Sequence, residues 1–326
     1  MQREIDVCGI GNALVDLQYQ IEEKDIKTLG VHKGEMRLVD AHEQQEIISR
    51  LDAGKFNKCS GGSAANTIIA FSQFGGKAAY LTSLGNDELG KFYSQEFLDL
   101  RIELQTRFLD ENPTGTCLVL ITPDAERTML TSLGASAKIN TSNISEELIK
   151  KSKWIYIEGY LFSQQESTDA VLEAVRLAKK FGTKVSVTFS DVFITNNFNS
   201  ALKEVVSQSD LVFCNEAEVF NFTDKNNFDE ALDELNSFSK NIVITRGSKG
   251  SSIKWVNQVY EIEPFKTKSI DTTGAGDMYA GAFLYGLIYF KSIEKAGKLA
   301  SYSASKIVSQ YGARLVADFD ELIKTV

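Results

Sequence analysis

The stretch Asp271-Thr272-Thr273-Gly274-Ala275-Gly276-Asp277, followed by Met278-Tyr279-Ala280-Gly281-Ala282-Phe283-Leu284-Tyr285-Gly286, decides how the rest of this chain is read. A polar loop with two glycines ends in an acid and runs into an apolar, small-residue segment at helical spacing. The free N–H groups of the loop should therefore crown a helix N-terminus. Such a turn can hold an anion, because Gly274 and Gly276 carry no side chain to keep a phosphate from the backbone and the helix dipole favours negative charge there. Asp277 is the odd member. An acid facing a bound phosphate is repulsive, so if the loop holds phosphate, Asp277 reads as a proton acceptor and not as a phosphate ligand. A capped helix start with a favourable first-turn acid accounts for the same residues. The stretch alone leaves both readings open.

Working back from the loop, residues 154–245 alternate between apolar strands and helical segments: strand at Trp154 to Glu158, helix at Glu166 to Phe181, strand at Lys184 to Phe189, helix at Asn199 to Gln208, and strands at Asp210 to Cys214 and Asn241 to Thr245. That rhythm predicts a mostly parallel sheet with helices on both faces. Ligands of such sheets gather at the C-terminal strand ends. The polar residues there are Asn215-Glu216-Ala217-Glu218 and Thr245-Arg246-Gly247-Ser248-Lys249-Gly250, and then the loop itself.

The first half of the chain is richer in strands. Ile5 to Ile10 reads as a buried strand running into Gly11-Asn12-Ala13-Leu14-Val15-Asp16, and Leu14 to Ile21 alternates apolar and polar residues like a half-exposed strand. Asn12 and Asp16, an even number of residues apart, share a face if that strand is regular, where they can hold hydroxyl groups. Lys33 to Asp40 reads as a short strand and Ala41 to Leu51 as a helix. Gly61-Gly62-Ser63-Ala64-Ala65-Asn66 is a second glycine loop opening a helix, with Asn66 in its first turn. Ile102 to Leu109 and Thr114 to Thr122 are expected to pair around Asn112-Pro113.

Two tempting motifs fail. Gly9-x-Gly11 lacks the third glycine of a dinucleotide loop, since Leu14 stands there. Gly85-Asn86-Asp87-Glu88-Leu89-Gly90-Lys91-Phe92 spells most of a P-loop, but Phe92 replaces the magnesium-binding hydroxyl and two acids would sit in the phosphate cradle.

Composition narrows the partners. The 326 residues carry a formal charge of −9 with no basic stripe, which argues against nucleic acid or an anionic membrane. Four scattered cysteines fit neither a disulfide framework nor a zinc site, and His32 and His42 offer little material for a histidine triad. The segment from Met1 to Asp6 lacks an apolar signal core and the longest apolar run, Ala280 to Phe290, is too short to span a bilayer, so a cytoplasmic protein is expected.

Taken in order, Gly61 to Asn66, Gly85 to Gly90, Asn215 to Glu218, Thr245 to Gly250 and Asp271 to Asp277 resemble the ribokinase-like family of sugar and nucleoside kinases. Gly11 to Asp16, Thr114-Gly115-Thr116-Cys117, Glu158-Gly159-Tyr160-Leu161-Phe162-Ser163 and Asn215 to Glu218 look most like its adenosine-kinase branch. The resemblance implies a doubly wound α/β core, set at 1–11, 39–101 and 123–326, and a small β-sheet lid over the substrate, set at 12–38 and 102–122. It also implies phosphoryl transfer from ATP to a primary hydroxyl of an adenosine-like nucleoside. A sugar kinase of the ribose, fructose or 2-keto-3-deoxygluconate type and a non-catalytic nucleotide-binding regulator are the alternatives.

Carried over residue by residue, the resemblance makes Asp277 the base and Gly274, Ala275 and Gly276 the anion hole, with Arg127 over the phosphates. Asn12, Asp16, Gly61, Gly62 and Asn66 would hold the acceptor's hydroxyls, and Phe162 or Tyr160 would stack on a purine. Asn215, Thr245, Gly247, Gly250 and Thr272 would line the ATP site, and Glu218 would order Mg²⁺ through water. A requirement for K⁺, and the choice between monomer and homodimer, stay open.

Overall fold

The strands of this protein fall into two sheets. The computed structural model describes residues 3–51, 56–124 and 126–326; Met1, Gln2, residues 52–55 and Ala125, all within the expected core segments, lie outside the described residues. In chain order the first strands are β1 (Ile5–Ile10), β2 (Leu14–Gln20), β3 (Met36–Leu38), β4 (Phe56–Gly61), β5 (Ala78–Gly85), β6 (Glu103–Leu109) and β7 (Gly115–Ile121). They are followed by β8 (Arg127–Ser132), β9 (Ser152–Glu158), β10 (Lys184–Thr188), β11 (Leu211–Asn215), β12 (Asn241–Thr245), β13 (Ser251–Trp255) and β14 (Gln258–Ile262).

The large sheet runs β14-β13-β12-β11-β10-β9-β1-β5-β6, parallel from β12 through to β6, with β13 and β14 added antiparallel at one edge. Its strands alternate between two cores. Val7 of β1 and Trp154 and Tyr156 of β9 face one, while Cys8, Ile10, Ile155 and Ile157 face the other. A strand whose neighbours along the chain are both buried, on opposite faces, is what helices on both sides of a parallel sheet require. The alternating α/β reading is therefore met.

The small sheet runs β3-β8-β7-β2-β4. In β2 the residues Val15, Leu17 and Tyr19 are buried, and they share a core with Ile26 and Leu29 of helix α1 (Glu23–Leu29) and Ile47 of helix α2 (Ala41–Ser49). Leu14, Asp16 and Gln18 lie on the opposite face and are half-exposed. One face of the small sheet is thus roofed by helices, and the polar face is left for a ligand.

The expected segment boundaries need correction. β6, assigned to the lid, pairs in parallel with β5 at the edge of the large sheet, whereas β4 and β8, assigned to the core, belong to the small sheet. Ile102 to Leu109 and Thr114 to Thr122 do not pair with each other; β7 lies between β2 and β8. The physical reason is the crossover: a helix, α4 (Glu88–Asp99), separates β5 from β6, and a strand-helix-strand unit lays its strands parallel in one sheet. Strand periodicity says nothing about partners.

Two helices matter most for the site. Helix α3 (Ser63–Gln73) and the helix Ala275–Tyr289 pack directly on one another: a Cβ on Gly281 would stand 2.5 Å from the Thr67 carbonyl oxygen. Only a residue without a side chain permits that approach. It brings the starts of both helices together.

Candidate active site

The loop quoted at the outset is held from below by its own first residue. Asp271 is buried; its Oδ1 accepts from the Thr273 amide at 2.9 Å, and its Oδ2 accepts from the Gly312 amide at 2.7 Å and pairs with Arg127 Nη2 at 2.7 Å. Gly274 caps the helix in the left-handed region, at φ 73°, and a Cβ there would strike Ala313 at 2.8 Å. Gly276 faces open space, with no atom within 4 Å of where its Cβ would be. Of the three expected anion-hole residues, Ala275 turns its amide back on the Thr272 carbonyl at 3.2 Å.

Asp277 sits in the first turn, half-buried. Ser63 Oγ donates to its Oδ1 at 2.7 Å and Asn66 Nδ2 donates to its Oδ2 at 3.2 Å. Burial pushes its carboxyl up to about 6, against the pull of these two donors. A carboxylate poised near neutral pH and oriented at both oxygens can accept a proton from an alcohol. Asn66, expected as an acceptor ligand, thus reaches the carboxylate itself.

The acceptor end is built by backbone contact. Gly62 caps α3 at φ 106°, a conformation strained for any side chain, and a Cβ there would lie 2.3 Å from the Asn12 carbonyl oxygen. Gly61 backs onto Asp16, whose Oδ1 would be 2.6 Å from an added Cβ. Burial pushes the Asp16 carboxyl up to about 7, with Arg127 and Arg314 pulling the other way. Asn12 lies just before β2 and is buried, so it does not share a regular strand face with Asp16 as expected. What fixes it is Glu158.

Glu158 was quoted at sequence level but given no role. Fully buried at the end of β9, it accepts from the Asn12 amide and Asn12 Nδ2, both at 2.7 Å through Oε1, and from the Ala64 amide at 2.9 Å through Oε2. The carboxyl staples β1 to the start of α3, and burial raises it to about 7. Its position at the C-terminal end of a parallel strand was the available signal.

Phe162 is a correction. It is 2% exposed and packs in the core on the far face of the large sheet with Leu161 and Ile157, so it offers no ring to a ligand. The apolar environment beneath a helix-covered sheet claims an aromatic there. Tyr160, the other aromatic expected there, borders the cavity.

A cavity of about 270 Å³ runs along the strand ends, bordered by Asn215, Glu218, Thr245, Thr272, Gly274 to Gly276 and Asp277. These residues were expected as base, anion hole, nucleotide lining and magnesium ligand, and they border one cavity. It missed Thr188 and Ser190, which border the same cavity at the end of β10; Ser190 takes φ 68° and its Oγ accepts from the Gly159 amide at 2.8 Å. Gly247 and Gly250, expected to line the nucleotide, do not border the cavity. They fold the turn that returns β12 into β13 as an antiparallel neighbour.

Asn215 and Glu218 form a reciprocal cap on the helix Glu216–Thr223: Asn215 Nδ2 donates to Glu218 Oε1 at 2.8 Å, the Asn215 amide to Oε2 at 2.9 Å, and the Glu218 amide to Asn215 Oδ1 at 2.9 Å. Burial pushes the Glu218 carboxyl up to about 7. Arg127, expected over the phosphates, is instead committed to Asp271, because a buried guanidinium needs a carboxylate within reach. Its Nε has no partner among the described residues.

The rejected P-loop is a capped helix start. Asp87 caps α4, accepting from Gly90 at 2.8 Å and from the Thr114 amide and hydroxyl at 2.7 Å each. Among the described residues no helix is long and apolar enough to cross a membrane, and no cluster of three metal-binding side chains occurs.

Comparison with known proteins places this arrangement. The profile of the pfkB family carbohydrate kinases matches residues 34–319. A protein of Halalkalibacterium halodurans named 5-dehydro-2-deoxygluconokinase is 30% identical over 95% of this chain and 91% of its own. Among solved structures, a probable sugar kinase from Rhizobium etli is 30% identical with a TM-score of 0.91, covering 100% of this chain and 99% of that one. An adenosine kinase from Sinorhizobium meliloti is 31% identical with a TM-score of 0.90, covering 99% of each.

Proposed function

From the premise that this chain belongs to the pfkB family of carbohydrate kinases, we propose that it transfers the γ-phosphoryl group of ATP to a primary hydroxyl of a sugar, with Asp277 as the base. The observation that carries the reading is the placement of Asp277 in the first turn of a helix whose loop faces a cavity, its carboxylate gripped by Ser63 and Asn66. Phosphoryl transfer needs alignment and charge stabilisation more than covalent chemistry. The acceptor oxygen bonds to phosphorus, the bond to the departing ADP oxygen breaks, and the hydroxyl proton passes to Asp277. Amides of the helix start stabilise the charge on the moving phosphoryl group.

Asn12, Asp16, Gly61 and Gly62 form the acceptor end in this reading. Asn12 spends its side-chain N–H on Glu158, so its Oδ1 is left to accept from a hydroxyl. The small sheet would close over both substrates, and excluding water would prevent wasteful hydrolysis of ATP.

Glu218 suits a magnesium ion held through water. Both of its carboxylate oxygens are occupied by Asn215, so direct coordination would break the helix cap, yet the side chain borders the cavity with acidic character. Magnesium bound with the nucleotide neutralises phosphate charge.

The sugar reading is favoured over the nucleoside one by the sugar-kinase name that recurs among the curated relatives, beside one adenosine kinase, and by the burial of Phe162, which removes one expected stacking face. The second reading, a nucleoside acceptor, is supported by the likeness to the Sinorhizobium meliloti adenosine kinase. A coupled ATP/Mg²⁺ assay over ribose, fructose, 5-dehydro-2-deoxygluconate, 2-keto-3-deoxygluconate, adenosine and inosine separates them. A sugar should win in kcat/KM; preference for adenosine would reverse the order of the two readings. ATP turnover stimulated by no acceptor would favour a silent regulator.

A further inference from the structure

The chain passes from the small sheet to the core at Gly62, between the end of β4 and the start of α3, and this crossing is gripped from outside. β4 is an edge strand, so its outer N–H and C=O groups have no further strand to pair with. At Ser60, which is buried, side chains take both groups. The amide donates to Glu96 Oε2 at 2.7 Å, and the carbonyl accepts from Arg314 Nη2 at 2.7 Å. Arg314 Nη2 also donates to Ser60 Oγ at 3.0 Å, while Nη1 pairs with Glu96 of α4. The ion pair thus stands where the next strand would be. Gly61 backs onto the Asp16 carboxyl and Gly62 onto the Asn12 carbonyl oxygen, so the grip on Ser60 locates the acceptor end.

The residues just before Arg314 hold the other half of the site. The Gly312 amide donates to Asp271 Oδ2 at 2.7 Å, and Gly274 lies against Ala313, whose Cβ would be 2.8 Å from a Cβ added there. The turn is itself fixed: Gly312 takes φ 93°, Gln310 Nε2 donates to the Arg314 carbonyl at 2.6 Å, and Leu315 is buried. Consecutive Cα atoms are about 3.8 Å apart, so the backbone positions that meet the anion-hole loop and the acceptor strand lie within about 8 Å of each other. None of the three residues Gly312, Ala313 and Arg314 borders the cavity.

We propose that Arg314 is a positioning residue: with Gly312 and Ala313 it forms a strut that fixes the acceptor end relative to the anion hole. The proposal rests on the kinase reading of Asp277 and goes beyond it, since Arg314 acts through Ser60 and not on a substrate. In-line transfer depends on the distance and angle between the acceptor oxygen and the moving phosphorus, and a misplacement of about 1 Å can cost about 100-fold. Each half of the site keeps its own bonds, Asp271 to the Thr273 amide on one side and Glu158 to Asn12 and Ala64 on the other. Loosening the strut therefore alters their separation and leaves each binding surface intact.

Arg314→Lys tests this on the full chain. A lysine keeps the charge and can pair with Glu96, but a single ammonium cannot reproduce the fork that also reaches Ser60. With whichever of ribose, fructose, 5-dehydro-2-deoxygluconate and adenosine the native chain turns over best, kcat should fall about 10- to 100-fold. KM for ATP and for that acceptor should stay within about three-fold, with a native melting curve. A merely structural role would lower the melting temperature or raise a KM instead. An unchanged kcat, or a loss carried by either KM, would overturn the proposal and leave the kinase reading standing. A native chain that phosphorylates none of the four fails the kinase reading, and the proposal falls with it. Ala313→Gly removes the methyl group that meets Gly274 at the other end of the strut, and decides the matter if the lysine variant does not fold. Its kcat should fall at least about three-fold, again at constant KM; an unchanged kcat there would overturn the proposal too.

Discussion

Ser63 donates to Asp277 across 214 residues of sequence, a 2.7 Å bond that joins the first turns of two helices. The bond helps keep the Asp277 carboxyl ionised, since it works against the burial that raises it to about 6. As a base, Asp277 must be unprotonated, so kcat/KM should fall as pH drops through about 6. Ser63→Ala removes one donor, and the acid limb of the pH profile should move to higher pH. A limb that stays in place would show that another group sets it.

Asp277→Asn keeps the size and one acceptor oxygen of the side chain while removing the base. Turnover should fall by about two to four orders of magnitude, with ATP binding retained. Stability should respond in a defined direction. The native carboxyl holds its proton more tightly than the unfolded one, so this group makes the fold less stable as pH rises from about 4 to about 6. The asparagine variant should lose that component of the slope in urea titrations; near-normal turnover would remove Asp277 from the chemistry.

The buried Arg127–Asp271 pair should respond unequally to its two truncations. Asp271→Ala strands a buried guanidinium and also frees the Thr273 and Gly312 amides, which should cost about 3–5 kcal/mol. Arg127→Ala leaves Asp271 with both amide donors, and the loss should be smaller. Urea midpoints of the two variants check the order.

Gly281 is where α3 and the helix Ala275–Tyr289 come closest. Gly281→Val must push the helices apart, at a cost of about 1–3 kcal/mol. Because the same contact sets the Ser63–Asp277 distance, kcat should drop in molecules that remain folded. Full activity at native-like stability would mean the helices adjust without disturbing their first turns.

Asp16→Ala should raise the acceptor KM about 10- to 100-fold, the worth of a hydrogen bond to a charged group, and leave the KM for ATP unchanged. Parallel loss of both would place Asp16 in the scaffold and not in acceptor binding.

The parts legible in the sequence were those fixed by local chemistry. Asp271 to Asp277 reads as a glycine turn before a helix, and the strand ends carrying Asn215 and Thr245 follow from the α/β rhythm. The parts that escaped depend on what the chain meets elsewhere. Glu158 looks like any polar strand end until three donors from distant segments converge on it. Phe162 follows a strand as a ligand-facing aromatic could, and only the helix packed over it decides otherwise. β6 has a pattern that suits either sheet, and the crossover through α4 assigns it.

Side-chain bonds between residues far apart in sequence also have a consequence in time. Ser63 reaches Asp277 across 214 residues, Ser60 reaches Arg314 across 254, and Asp6 reaches Tyr289 across 283. Such closures come late, because a chain must fold most of its intervening length before distant contacts reward the lost entropy. During refolding, helical signal should therefore return well before catalysis does, and turnover becomes a clock for the final stage of folding.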